Sequence, residues 1–230
     1  MKRLPFVLLF TATLVLMGAS PRSDGPAAPA LQDQANIGFK WAFGAVIGKD
    51  KKFVSITRDT TLKSGEAIKL YVELTKECYV YLFHYGSKGE LNLLFPYSTR
   101  QFQTDYSTGK NYFIPKGRAW DTLDNNTGRE TFFLVASAER LLDLEAKVGN
   151  YFAADNSKKD GIAAGIVSDI RDLRRKYTTF ATIAEKPLTI GGNIRGSDRP
   201  DVPRRPDVTT IATEISARNF YSKTITIDHQ

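Results

Sequence analysis

Ile68, Leu70, Val72 and Leu74 alternate with Lys69, Tyr71, Glu73 and Thr75. Successive side chains of a strand point to opposite faces, so this alternation predicts a strand with one apolar and one polar face. A half-buried strand of this kind suits an antiparallel sandwich, in which one sheet face is dry and the other wet. The neighbouring segments carry the same signal. Trp41, Phe43, Ala45 and Ile47 fall on one face, and residues 53–57 form a second short apolar run. In 79–85, Tyr79, Tyr81, Phe83 and Tyr85 line one face and Val80 and Leu82 the other, which predicts a central strand apolar on both sides. Gly86-Ser87-Lys88-Gly89 closes a hairpin onto Leu91, Leu93 and Phe95, and Pro96 ends the return strand. The fold class expected is mainly β: an antiparallel β-sandwich with one or two packed α-helices, added on the C-terminal side.

Strands are also expected over 111–114 and 131–136, with a turn at 124–128. Ser137 stands where an N-cap would, with Glu139 in the first turn and Leu141, Leu144 and Val148 on one helical face beside Leu142. A longer helix starts near Ser157, with Ile162, Ile166, Ile170, Leu173 and Tyr177 as its apolar stripe. Gly161 and Gly165 read as a close-packing face on it. Arg171, Arg174, Arg175 and Lys176 gather near its C-terminal end, where the helix dipole favours cations. The same cluster also suits contact with an acidic partner or a phosphate-rich polymer. Residues 186–191 are a further strand candidate. Residues 197–210 form a loop that repeats Arg-Pro-Asp-Val at 199–202 and 205–208. Tyr221, Lys223, Ile225 and Ile227 form a terminal strand.

The first residues have the layout of a secretory signal: Lys2 and Arg3, an apolar run over 6–17, then Gly18, Ala19 and Ser20. The run falls short of the about 20 residues a spanning helix needs. Residues 1–20 are therefore read as a signal peptide, with cleavage as late as residue 30. Residues 21–37 are read as a disordered linker and 38–230 as one domain, with a core over 53–148 and an extension over 150–230. No stable membrane span is expected after cleavage. Ala19 stands where a lipoprotein needs cysteine, so no lipid anchor is expected. The formal charge of +7 is mild and spread along the chain, which disfavours nucleic acid as a partner. Cys78, the single cysteine, lies beside Tyr79 and Val80 and is expected to be buried and inert.

The order of several short pieces carries a family resemblance. They are Leu62-Lys63-Ser64-Gly65-Glu66, Tyr79-Val80-Tyr81-Leu82, Leu91-Asn92-Leu93-Leu94-Phe95-Pro96 after a glycine turn, and Ile114-Pro115. Gly128-Arg129-Glu130-Thr131 follows, leading into Ala136-Ser137-Ala138-Glu139-Arg140-Leu141 and Leu144-Glu145. Over about 53–145 the chain resembles the bacterial family called domain of unknown function 4384. The resemblance implies a β-rich accessory module and supplies no catalytic residues.

Catalytic motifs are absent from the sequence. His84 is read as a structural residue in a strand, and His229, next to last, as mobile. Neither belongs to an H-E-x-x-H pattern, no Cys/His spacing suits zinc, and 86–89 joins two strands, so it is no nucleophile elbow. No catalytic, cofactor or metal residues are therefore assigned. Asp105, Asp121 and Glu130 are the candidates if the protein were a hydrolase. The expected function is that of an exported, non-enzymatic envelope protein, periplasmic or secreted, acting as a protein-interaction module. Its partner would be an envelope protein, met through one sheet face and the polar loop 97–110. The alternative is a glycan or peptidoglycan binder whose loop aromatics stack on sugars. Tyr97, Phe102, Tyr106 and Trp120 are the residues expected at that ligand or partner surface.

Overall fold

The computed structural model describes residues 36–178, 183–188 and 206–230. In chain order the strands are β1 (Ile37–Ile47), β2 (Lys52–Ser55), β3 (Thr60–Leu62), β4 (Ala67–Leu74), β5 (Tyr79–Tyr85) and β6 (Leu91–Phe95). They continue as β7 (Asn111–Ile114), β8 (Asp121–Thr122), β9 (Gly128–Ser137), β10 (Ile183–Pro187), β11 (Thr213–Ala217) and β12 (Phe220–His229). The helices are α1 (Gln101–Thr104), α2 (Leu142–Ala153) and α3 (Asn156–Thr178), and a 3-10 turn covers Val208–Ile211. The signal segment 1–20, most of the linker and the first copy of the Arg-Pro-Asp-Val repeat lie outside the described residues. The linker ends sooner than expected: Ile37 already belongs to β1 and is fully buried.

Two sheets form. One runs β10-β11-β1-β4-β7, with β2 also on β1 and β8 on β4; the other runs β3-β12-β9-β5-β6. All pairings are antiparallel except β12 with β3, which is parallel. The alternating rows meet between the sheets. On β1 and β4, Trp41 faces Val72, Phe43 faces Leu70 and Ala45 faces Ile68. Across the gap Phe43 meets Phe132 edge-on with ring centroids 4.9 Å apart, and Phe39 meets Tyr221 at 5.6 Å. Burial of such rings, each worth roughly 1.5–3 kcal/mol, is the main force closing the sandwich. Cys78 lies in this core; burial pushes its thiol up to about 11, so it is a poor nucleophile.

A third layer covers the outer face of the second sheet. Tyr81, Phe83, Phe133, Val135 and Phe220 pack there against Leu144, Val148 and Tyr151 of α2 and Ala163, Ile166, Val167 and Ile170 of α3. The apolar stripe of α3 thus finds the second apolar face of β5. Gly161 and Gly165 take no part in close packing, because a Cβ at either would meet open space. Ser137 is the last residue of β9 and not an N-cap; α2 begins five residues later with Leu141 at its cap, which leaves Leu142 62 % exposed.

The outer face of β4 departs from the expected wet surface. Lys69 is 4 % exposed and Tyr71 3 %. Residues 115–119 wrap over Lys69, whose ammonium donates to the carbonyls of Pro115, Gly117 and Ala119 at 3.0, 2.9 and 2.5 Å. Tyr71 is covered by Phe113 and by the 3-10 turn, which buries Val208 and Ala212. Asp207 caps that turn by accepting from Thr209 N at 2.9 Å.

Candidate functional site

The core-facing rows of three strands end in polar residues at the same end of the sandwich. On β5, Val80 and Leu82 are followed two residues on by His84. On β9, Ala136, Leu134 and Phe132 lead back to Glu130. On β12, Ile225 and Ile227 lead to His229. The register brings them together: His84 lies opposite Phe132, and Ile227 opposite Glu130. The result is a pocket of about 240 Å³. Its floor is apolar, with Ile68, Leu70, Leu94, Leu123, Phe132 and Ile227. Its rim is acidic: Glu90, Asp121, Asp124 and Glu130, against Lys88 and the two histidines.

The rim is held by short local contacts. His84 Nε2 contacts Glu130 Oε2, while Nδ1 lies 3.4 Å from the amide nitrogen of Asn92. Both ring nitrogens are thus engaged, and an ionised Glu130 can only accept, so Nε2–H is the donor of that contact. The same ring lies against Phe132, centroids 4.8 Å apart. Asp124 accepts from the backbone N–H of Asn126 at 2.8 Å and from its side-chain amide at 2.5 Å. These bonds, helped by His229 and Lys88, hold its carboxyl below the usual carboxylate range. Lys88 donates to Asn126 Oδ1 at 2.6 Å, tying the 86–89 hairpin to the 124–128 turn. Gly128, at φ +138°, permits that approach: a Cβ there would stand 2.6 Å from the Cβ of Ser87.

His229 is not mobile. It is 3 % exposed, and its Nε2 lies 3.2 Å from Ser64 Oγ. The chain end is stitched between β3 and the following turn, with Gln230 N donating to Leu62 O at 2.9 Å and Ser64 N to Gln230 O at 2.8 Å. Among the described residues, no group of three or more His, Cys, Asp or Glu is placed to hold a metal ion.

The four aromatic residues expected at a ligand surface turn inward. Tyr106 accepts from Val80 N at 2.8 Å and donates to Cys78 O at 3.0 Å, and burial drives its phenol pKa upward. Phe102 meets Tyr79, Tyr81 and Tyr106 edge-on at 5.2, 5.3 and 4.8 Å. Tyr97 donates to Phe113 O at 2.6 Å, burial pushes its phenol up to about 12, and Lys116 lies over its ring. Trp120 is 7 % exposed and packs edge-on against Phe53. The loop 97–110 supports itself through buried Gln101, which accepts from Tyr97 N at 2.7 Å and donates to Asp105 O at 3.2 Å. The four rings pack at the sandwich edge against other side chains, with Trp120 buried and Tyr97, Phe102 and Tyr106 half-buried. Of the three candidate carboxylates, Asp121 and Glu130 line the pocket, while Asp105 pairs with Lys110 elsewhere.

Residues 61–140 match the family model described as Domain of unknown function (DUF4384). The DUF4384 segment supplies β4 to β9 and all of the pocket lining except Ile227 and His229. Strands β1 and β12, which pair with β4 and β9, lie outside it. No curated protein and no solved structure matches the chain. No helix among the described residues is long and apolar enough to cross a membrane.

Proposed function

We propose that this chain is a non-enzymatic, exported envelope protein that recognises a partner protein, and that the end pocket receives a basic side chain of that partner. One observation carries the reading: four carboxylates rim a pocket whose floor is aliphatic and aromatic. A lysine or arginine side chain has the matching form, an apolar stem with a charged head. Support for a binding role comes from the engagement of the site's own groups. Both nitrogens of His84 and the carboxylates of Glu130 and Asp124 have partners within the protein, so they shape the rim. Export rests on the basic start and apolar run of the first 20 residues. The test is an NMR titration of the full chain with N-acetyl-lysine methylamide and its norleucine counterpart. Shifts at Asp121, Glu130 and His84 with the lysine compound only, reduced in Asp121→Asn, support the reading. Equal shifts with norleucine, or none with either, overturn it.

A second reading, hydrolysis, has one observation in its favour: Asp121 and Glu130 line the same open pocket. Turnover of a glycoside or ester substrate that disappears in both Asp121→Asn and Glu130→Gln would replace binding with catalysis as the function.

A further inference from the structure

A second groove, of about 480 Å³, opens between α3 and the outer face of β9 and β12, on the opposite side of these strands from the end pocket. Four guanidinium groups line it: Arg171, Arg174 and Arg175 from α3, and Arg129 from the start of β9. No carboxylate and no lysine is among its lining residues. Its floor carries a patch of hydroxyls beside the apolar Phe133 and Ile170. Ser222, Thr224 and Thr226 follow one another on one face of β12, and Thr131 lies directly opposite Thr226 on β9.

The helix dipole does not account for this assembly. It favours cations within the last turn of α3, but Arg129 stands on a strand and Arg171 lies before that turn. Nor does packing account for the floor. On the same sheet face Phe220, Phe133 and Val135 are apolar and buried under the helices. The change to hydroxyls along β12 coincides with the arrival of the arginines. Among the described residues, the buried Oγ of Ser222 has no hydrogen-bond partner. A buried hydroxyl without a partner destabilises a fold unless something else satisfies it.

We propose that this groove binds a ligand carrying two or more linked phosphate groups. A guanidinium presents a planar fork of donors that matches phosphate oxygens in pairs, and hydroxyls add single donors between the forks. The forks of Arg129 and Arg171 with the four hydroxyls already exceed what a carboxylate pair can accept, whereas linked phosphates carry enough oxygens. Arg175 contacts Asp172 in an exposed ion pair, an interaction weak enough to yield to a phosphate. The opposing half charge at the C-terminal end of α3 is small beside four guanidinium groups.

The experiment is calorimetric titration of the full chain with inorganic tripolyphosphate, pyrophosphate, orthophosphate and ADP, beside Arg171→Gln, Thr224→Val and Ser222→Ala. Tripolyphosphate is expected to bind about tenfold more tightly than orthophosphate, weakening as salt rises, with Arg171→Gln reducing affinity by about tenfold. ADP equal to pyrophosphate assigns recognition to the phosphates alone; ADP above it assigns a nucleotide source, and either supports the site. Ser222→Ala distinguishes a binding role from a structural one. It is expected to lower affinity while leaving the melting temperature of the ligand-free chain unchanged or raised. Equal binding of tripolyphosphate and orthophosphate, undiminished binding by Arg171→Gln, displacement by polyglutamate as effective as by tripolyphosphate, or a lower melting temperature in Ser222→Ala each overturn the proposal.

Discussion

His84 and Glu130 stand on neighbouring strands one step beyond the last apolar residues of their rows, and the imidazole Nε2 of one contacts the carboxylate of the other. Both side chains are mostly buried, 19 % and 12 % exposed. The pair seals the core and forms a wall of the end pocket. Glu130→Ala should therefore lower unfolding stability by about 1–3 kcal/mol, since it leaves a half-buried N–H without an acceptor. The double variant His84→Phe with Glu130→Leu should recover most of that loss. Urea unfolding of the single and double variants checks both.

Lys69 offers a sharper case, because its ammonium is the shared donor for three carbonyls of the 115–119 segment. Lys69→Met should cost about 1–3 kcal/mol, because it leaves buried carbonyls without their donor. Lys69→Arg should not rescue it, since a planar fork cannot replace a compact tripod of donors. Denaturant midpoints of the two variants give the answer.

Tyr106→Phe should destabilise by about 1–3 kcal/mol, because its hydroxyl serves both Val80 N and Cys78 O. A residue acting as an exposed ligand platform would show no such loss. Thermal melts of this variant separate the two roles without any ligand.

Glu73 links stability to pH. Burial works to raise its pKa, but the Tyr71 hydroxyl at 2.5 Å and the Lys40 ammonium at 3.1 Å outweigh it and leave the carboxyl below its ordinary 4.5. A depressed folded-state pKa contributes stability that is complete above the unfolded value and disappears as pH falls through the folded one. The stability gap between wild type and Glu73→Gln should be constant near neutrality and close as pH drops below about 4.5. Melting temperatures across that range measure it.

The inner row of β4, the doubly apolar β5 and the stripe of α3 are legible in the sequence, because each is a periodicity contained within one element. The outer face of β4 is not. Lys69 and Tyr71 look like exposed residues until segments distant in the chain fold over them. The loop aromatics mislead for the same reason: their polar neighbours suggest a surface, while their rings meet Tyr79, Tyr81 and Phe53 from other segments. The end pocket was half visible. Asp121 and Glu130 stood out as carboxylates, and extending each apolar row by one more alternate position would have reached His84 and His229.

Local pattern alone thus determined that this chain makes strands with oily faces, a hairpin at 86–89 and a helix with one apolar stripe, since those depend on neighbours within a few residues. The tertiary structure decided which row faces which: that β12 lies between β3 and β9, that two histidines and four carboxylates share one pocket, and that four arginines share one groove. Strand register and helix docking are set by contacts between residues far apart in the chain, and side chains that meet only there leave no periodic signal along it.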